Sequence, residues 1–162
     1  MNQENGYVLS VNISKKRAEK KHNVQEAYLK ADYGIETDAH SGSWHRQVSL
    51  LSLSSFKKMQ ALGAAVEYGD FAENITIAGI DVSSLPLGTR IRIGEALLEV
   101  TQIGKECHNK GCPIKQQVGT CVMPLEGIFT RVLESGRVQS GDKVIVLEGK
   151  GENYKWEKTI GN

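Results

Sequence analysis

Apolar and polar positions alternate with a period of two over Gly6–Ser14 (GYVLSVNIS), which predicts a β-strand. The basic stretch Lys15–Asn23 then predicts a solvated turn, and Val24–Ala31 fits a strand or a short helix, the strand being preferred. Between Asp32 and Arg46 periodicity vanishes, and two Gly, two His, a Trp and two Asp crowd into one span. Loops of that make-up are commonly ordered around a ligand. Val48–Leu53 is a compact apolar run. Ser54–Leu62 (SSFKKMQAL) follows it with Phe56, Met59 and Leu62 at helical spacing, a serine able to cap, and Gly63 to stop the helix.

From Ile75 onward strand follows strand. Thr89–Ile93 alternates, Gly94-Glu95 occupies a two-residue turn, and Ala96–Ile103 returns. Glycine at the first central position suits a type II′ hairpin, because glycine takes the required positive φ without steric cost. Ile128–Leu133 and Lys143–Leu147 extend the series, with Gly136 and Gly141 as punctuation. Many short strands, glycine turns and one helix predict a mainly β fold, a closed or partly open β-barrel with one or a few short helices. Residues 1–150 form one such domain, and 151–162 a polar C-terminal tail carrying Trp156.

Composition narrows the function classes. Twenty basic residues face nineteen acidic ones, a net charge of +1, which argues against a general nucleic-acid binder and leaves room for a local pocket for a small anion. No run approaches 18 apolar residues, and the polar start MNQENGYVLSVNISKKR is not a signal peptide, so a cytoplasmic protein is expected. In a reducing compartment the three cysteines stay thiols.

The first chemical candidate is Cys107, in the polar run Gly104-Lys105-Glu106-Cys107-His108-Asn109-Lys110-Gly111-Cys112-Pro113 just after an apolar strand. Thiolate is the reactive form, and the neighbouring cations Lys105, His108 and Lys110 favour it. Cys107, Cys112 and Cys121 are also a weak metal set, since their spacings match no common zinc pattern. Cys112 can alternatively resolve a persulfide or disulfide made by Cys107. The second candidate is the loop Gly34–Gln47, where Asp38, His40, His45 and Arg46 stand among small residues and can set donors around a phosphate or other oxyanion. Glu73 and Asn74 precede a β-branched run and read as braces for a neighbouring loop. Arg131, inside an apolar strand pattern, needs a partner, either Glu73 or a bound anion. There is no phosphate-binding GxxxxGK[ST], no GxGxxG after a strand, no GxSxG elbow, no HExxH and no CxxC pair.

Taken in order, YGIETDAHSGSWHRQVSLLS, GDFAENITIAGIDVSSLPLGTRIRIGEALLEVTQIGKECH and GIFTRVLESGRVQSGDKV resemble the successive motifs of the MOSC domain, found at the C-terminus of molybdenum cofactor sulfurases. The resemblance covers residues 6–148. It implies a β-barrel that binds the molybdenum–pterin cofactor (molybdopterin), or carries sulfur as a persulfide on the family cysteine, to which Cys107 corresponds. It assigns Asp38, His40, Gly42, Glu73, Asn74 and Arg131 to the cofactor side, where the loop's own composition adds Arg46. Pyridoxal phosphate belongs to the family by association, through the aminotransferase-like domain of full-length sulfurases. No such domain and no recognisable Schiff-base lysine occur in these 162 residues, so that cofactor is not expected on this chain. The partners implied are a sulfur-donating desulfurase and a molybdenum enzyme or cofactor-biosynthesis protein. Alternative readings are a non-catalytic binding module for the cofactor or molybdate, a small cysteine-ligated metal protein, and an oxidoreductase component acting on N-hydroxylated substrates.

Overall fold

A computed structural model of the chain describes residues 5–16, 20–104 and 126–147. The strands are β1 (Asn5–Ile13), β2 (His22–Val24), β3 (Glu26–Lys30), β4 (Gly34–Ile35), β5 (Val48–Ser52), β6 (Ile75–Ala78), β7 (Arg90–Ile93), β8 (Ala96–Ile103), β9 (Ile128–Glu134), β10 (Gly136–Gln139) and β11 (Lys143–Val146). One α-helix, α1 (Leu53–Ala61), and a 3₁₀ turn at Val82–Ser84 complete the described elements.

The main sheet runs β11-β7-β8-β9-β5-β6-β1, and β1 pairs back onto β11, so seven strands close into a barrel. β2 adds to the far end of β1, and β10-β3-β4 forms a small second sheet. Among the described residues β5–β6 is the one parallel pairing of the barrel. A parallel neighbour demands a long crossover, and residues 53–74, including α1, supply it.

Side-chain alternation fills the barrel. Ala96, Leu98 and Val100 of β8 point inward against Leu50, Ile75, Ile77, Ile91, Ile93, Ile128 and Val144. In β1 the core residues Val8 and Val11 are three apart, which strict alternation forbids. A register shift between Val8 and Ser10 explains it, because one extra residue in a strand exchanges its faces. β5 is apolar on both sides for a different reason: Leu50 enters the barrel, while Leu51 joins Phe56, Met59, Ala64, Val66, Phe71 and Phe129 beneath α1.

The β7–β8 hairpin forms as its pattern predicts, with Ile93 opposite Ala96 and Gly94 at φ +56. The helix is found one residue earlier than expected, and its cap differs. Ser52 is the N-cap residue and makes no side-chain cap bond; its Oγ instead donates to Ile80 O and accepts from Val82 N, both at 2.7 Å, tying the helix start to the 3₁₀ turn. At the other end Gly63, at φ +101, completes a Schellman stop: its N–H reaches Gln60 O, and the Ala64 N–H reaches Met59 O. Gly136 opens strand β10 rather than marking a turn. The segment Val24–Ala31 divides into the end of β2 and β3. Within Lys15–Asn23, expected to be solvated, Lys21 is buried and His22 already belongs to β2. Among the described residues no helix is long and apolar enough to cross a membrane.

Candidate functional site

The loop between β4 and β5 folds over the outer face of β5 and β9. Asp38 anchors it. Its Oδ1 accepts from Ser14 N at 3.0 Å and from Lys21 Nζ at 2.8 Å, while Oδ2 accepts from His40 N at 3.0 Å. Burial by itself would raise the Asp38 pKa, but the nearby His40 side chain, the hydrogen bond and charge of Lys21 and the Ser14 N–H reverse that and hold the carboxyl well below the ordinary carboxylate range. Asp38 is therefore a carboxylate, and Lys21 its ammonium partner, with both side chains almost fully buried. Gly42, at φ +150, donates its N–H to Tyr33 O at 2.7 Å, and the Trp44 indole Nε1 donates to His40 O at 2.8 Å.

Beneath this loop lies a cleft of about 250 Å³ lined by His40, Trp44, Arg46, Ser49, Ala72, Asn74 and Phe129. The Arg46 guanidinium packs against the rings of Trp44 (5.1 Å to the centroid) and Phe129 (5.5 Å), yet its Nε is buried with no hydrogen-bond partner among the described residues. A cation held by aromatic faces and short of an acceptor is built to receive an anion.

The opposite wall is the turn before β6. Glu73, fully buried, accepts from Gly69 N at 2.8 Å, Phe71 N at 3.2 Å and Thr76 Oγ1 at 2.8 Å. Burial raises its pKa against the pull of those donors. The turn places Ala72 at φ +66, an unfavourable conformation for a residue with a Cβ, at the cleft surface. Asn74 stitches strands together: its Oδ1 accepts from Ser49 N at 2.9 Å and its Nδ2 donates to Asn12 O at 3.1 Å.

Of the residues assigned from sequence, the structure brings His40, Arg46 and Asn74 to one cleft. Asp38 and Gly42 shape the loop behind it, and Glu73 braces the turn without lining it. Of the two partners offered for Arg131, Glu73 does not pair with it, because the Glu73 carboxyl is already turned to its own turn's donors. Arg131 instead stands opposite Glu99 in the β8–β9 register, and its buried Nε has no partner among the described residues. His45 bonds Gln102 Oε1 at 2.8 Å and lies outside the cleft lining. Lys21, Trp44 and Phe129 were not legible as site residues. The signal for Lys21 would have been Asp38 itself, a carboxylate in a loop of small residues that needs a buried counter-charge. Cys107, Cys112 and Cys121 lie outside the described residues, as does the tail 151–162. Among the described residues no group of three His, Cys, Asp or Glu is placed to hold a metal ion.

The chain has recognisable relatives. The uncharacterized protein YflK of Bacillus subtilis strain 168 is 32% identical over 89 residues, 51% of this chain and 38% of that protein, so the match spans well under half of YflK. The crystal structure of YuaD from Bacillus subtilis superposes with a TM-score of 0.77 at 18% identity, covering 90% of this chain and 97% of that one. YiiM from Geobacillus stearothermophilus gives 0.66 at 20%, covering 88% and 75%. At such identities these likenesses speak for the barrel alone. The MOSC domain model matches residues 37–145, from the Asp38 loop into β11, and on that extent the chain belongs to the MOSC domain family, which is associated with molybdenum cofactor binding and sulfuration.

Proposed function

We propose that this chain holds an anionic part of the molybdenum–pterin cofactor in the Arg46 cleft and carries sulfur as a persulfide on Cys107. The observation that carries the reading is the buried Nε of Arg46, packed by two aromatic rings and without an acceptor among the described residues. That donor fits an oxyanion. The cleft, about 250 Å³, is smaller than the about 300–1,000 Å³ that encloses a whole small-molecule ligand, so it suits a phosphate or oxo-anion group rather than the pterin body. Arg46 and His40 would hold that group, with Asn74 and Ser49 at the rear wall. When bound, the cofactor supplies a metal centre able to accept sulfur.

Cys107 comes to this reading through its correspondence with the family cysteine. In the sulfur step, the Cys107 thiolate attacks the terminal sulfur of a donor protein's persulfide. The donor S–S bond breaks, a new S–S bond forms on Cys107, and the donor leaves as thiolate, with no net oxidation. The donor is a desulfurase and the recipient a molybdenum enzyme or cofactor-assembly protein, which makes the chain a sulfurtransferase-like protein.

Two measurements test the reading. After incubation with a cysteine desulfurase and cysteine, mass spectrometry is expected to find about 32 Da added on Cys107 and nothing on the Cys107→Ser variant. Sulfur on Cys112 or Cys121 alone overturns the assignment. Molybdate titration is expected to show binding that weakens about ten- to hundredfold in Arg46→Met, the loss of one charge-assisted hydrogen bond. Equal affinity in the two proteins removes Arg46 from the site. A pure binding module is the second reading, because the cleft's cation is complete without any cysteine; intact molybdate binding with no sulfur on Cys107 would favour it.

A further inference from the structure

The buried ion pair behind the cleft has a consequence for His40. Lys21 Nζ lies 3.0 Å from His40 Nδ1, 2.8 Å from Asp38 Oδ1 and 3.1 Å from Ser14 Oγ. An ammonium donates and never accepts. Beside a carboxylate at 2.8 Å it keeps its protons, so the imidazole nitrogen facing it must present a lone pair. The alternative hydrogen bond for that nitrogen, donation to Asp38 Oδ2, lies at 3.7 Å, beyond bonding distance. The ring's proton is then on Nε2, the nitrogen away from Lys21, and the ring is one of the groups that line the cleft.

We propose that Lys21 is a positioning residue that fixes His40 as the Nε2–H tautomer, so that His40 offers the cleft a permanent donor. This rests on the anion reading of the cleft and deepens it: the preferred ligand is a group with only acceptor oxygens toward His40 and Arg46. A fully deprotonated oxyanion such as molybdate meets that description. A group that must donate toward His40 does not. The charged neighbours in this arrangement are Lys21 and Asp38 on the Nδ1 side and Arg46 across the cleft. Asp38 has a second task here. It cancels the Lys21 charge at contact distance, so that the ammonium can stay buried against a neutral ring.

Nitrogen-15 NMR of the histidine rings tests this without any ligand, at about pH 8, above the ordinary imidazole range. The wild-type protein is expected to show His40 with a bare Nδ1 and a protonated Nε2, assigned by loss of the signal in His40→Gln. A protonated Nδ1 in the wild type overturns the proposal outright, and this holds even if no variant folds. In Lys21→Met, Asp38 Oδ2 loses its competitor for the ring, and Nδ1 is expected to gain the proton; a ring that stays Nε2–H shows that Lys21 does not set it. Lys21→Arg, which also only donates, should keep Nδ1 bare, and a flip there counts against the proposal. Molybdate affinity is then expected to fall about tenfold in Lys21→Met and to hold within about threefold in Lys21→Arg. An unchanged affinity in a tautomer-shifted Lys21→Met refutes the positioning role. A wild type with the expected tautomer that binds no molybdate instead refutes the anion reading, which keeps the two failures apart.

Discussion

Replacing Asp38 by Asn changes one oxygen for an amide and almost nothing in volume, so its effect isolates charge and donor sense. Asp38 accepts from Ser14 N, Lys21 Nζ and His40 N, and no part of its side chain is exposed. An asparagine leaves the Lys21 ammonium buried beside a neutral group. It also turns an NH₂ toward either the Lys21 and Ser14 donors or the His40 N–H, a donor against a donor. Removing one partner of a buried pair costs about 3–5 kcal/mol. For a domain of this size each kcal/mol moves Tm by about 2–4 °C, so a loss of about 6–20 °C is expected at pH 7 in a thermal melt followed by circular dichroism. The pH dependence has a definite sign. A carboxyl depressed in the folded state contributes stability that is complete above the unfolded carboxylate range and is lost as pH falls through the native value. The gap between wild type and variant should therefore be full at pH 7 and begin to close only below about pH 4. A double-mutant cycle with Lys21→Met should return a coupling of up to about 3 kcal/mol. A Tm change under about 2 °C at pH 7 would mean that the pair behaves like a surface salt bridge, and the argument for a buried network would fail.

Two further substitutions probe the scaffold. Gly69→Ala places a Cβ onto the carbonyl oxygen of Lys21 at a residue with φ +96, so it should destabilise by about 2–4 kcal/mol and displace Lys21; a neutral result in urea unfolding would show that the turn can shift freely. Ser52→Ala removes the oxygen that accepts from Val82 N and donates to Ile80 O, which strands a buried N–H and should cost about 1–3 kcal/mol, read from the same urea midpoint. If helix capping were its role, the loss would instead appear as reduced helicity without change in the 3₁₀ turn's amide exchange.

What the sequence discloses follows the range of the forces involved. The β7–β8 hairpin was legible because its turn and its alternation lie within fourteen consecutive residues, Arg90–Ile103. The Gly63 stop was legible for the same reason. Lys21 was not, because its partner stands seventeen residues away and nothing local distinguishes it from the lysines around it. Nor was the role of Ser52, since its hydroxyl serves a turn thirty residues downstream. The cleft itself was half visible. His40, Arg46 and Asn74 belong to motifs, whereas Phe129 joins them only through the β5–β9 pairing of Ser49 with Phe129. Glu73 and Arg131 looked complementary by charge, but three nearby donors reach Glu73 first.

The seam between β1 and β11 joins Asn5–Tyr7 to Lys143–Ile145, strands at opposite ends of the described chain. While the chain is being made, β1 emerges before β11 and must wait for the whole segment between them before this partner exists. Until then both β1 and β7 carry open hydrogen-bonding edges, the form most prone to pairing with a neighbouring nascent chain. Expression at low temperature or with a holdase chaperone should therefore raise the yield of closed barrel more than it would for a protein whose contacts are local.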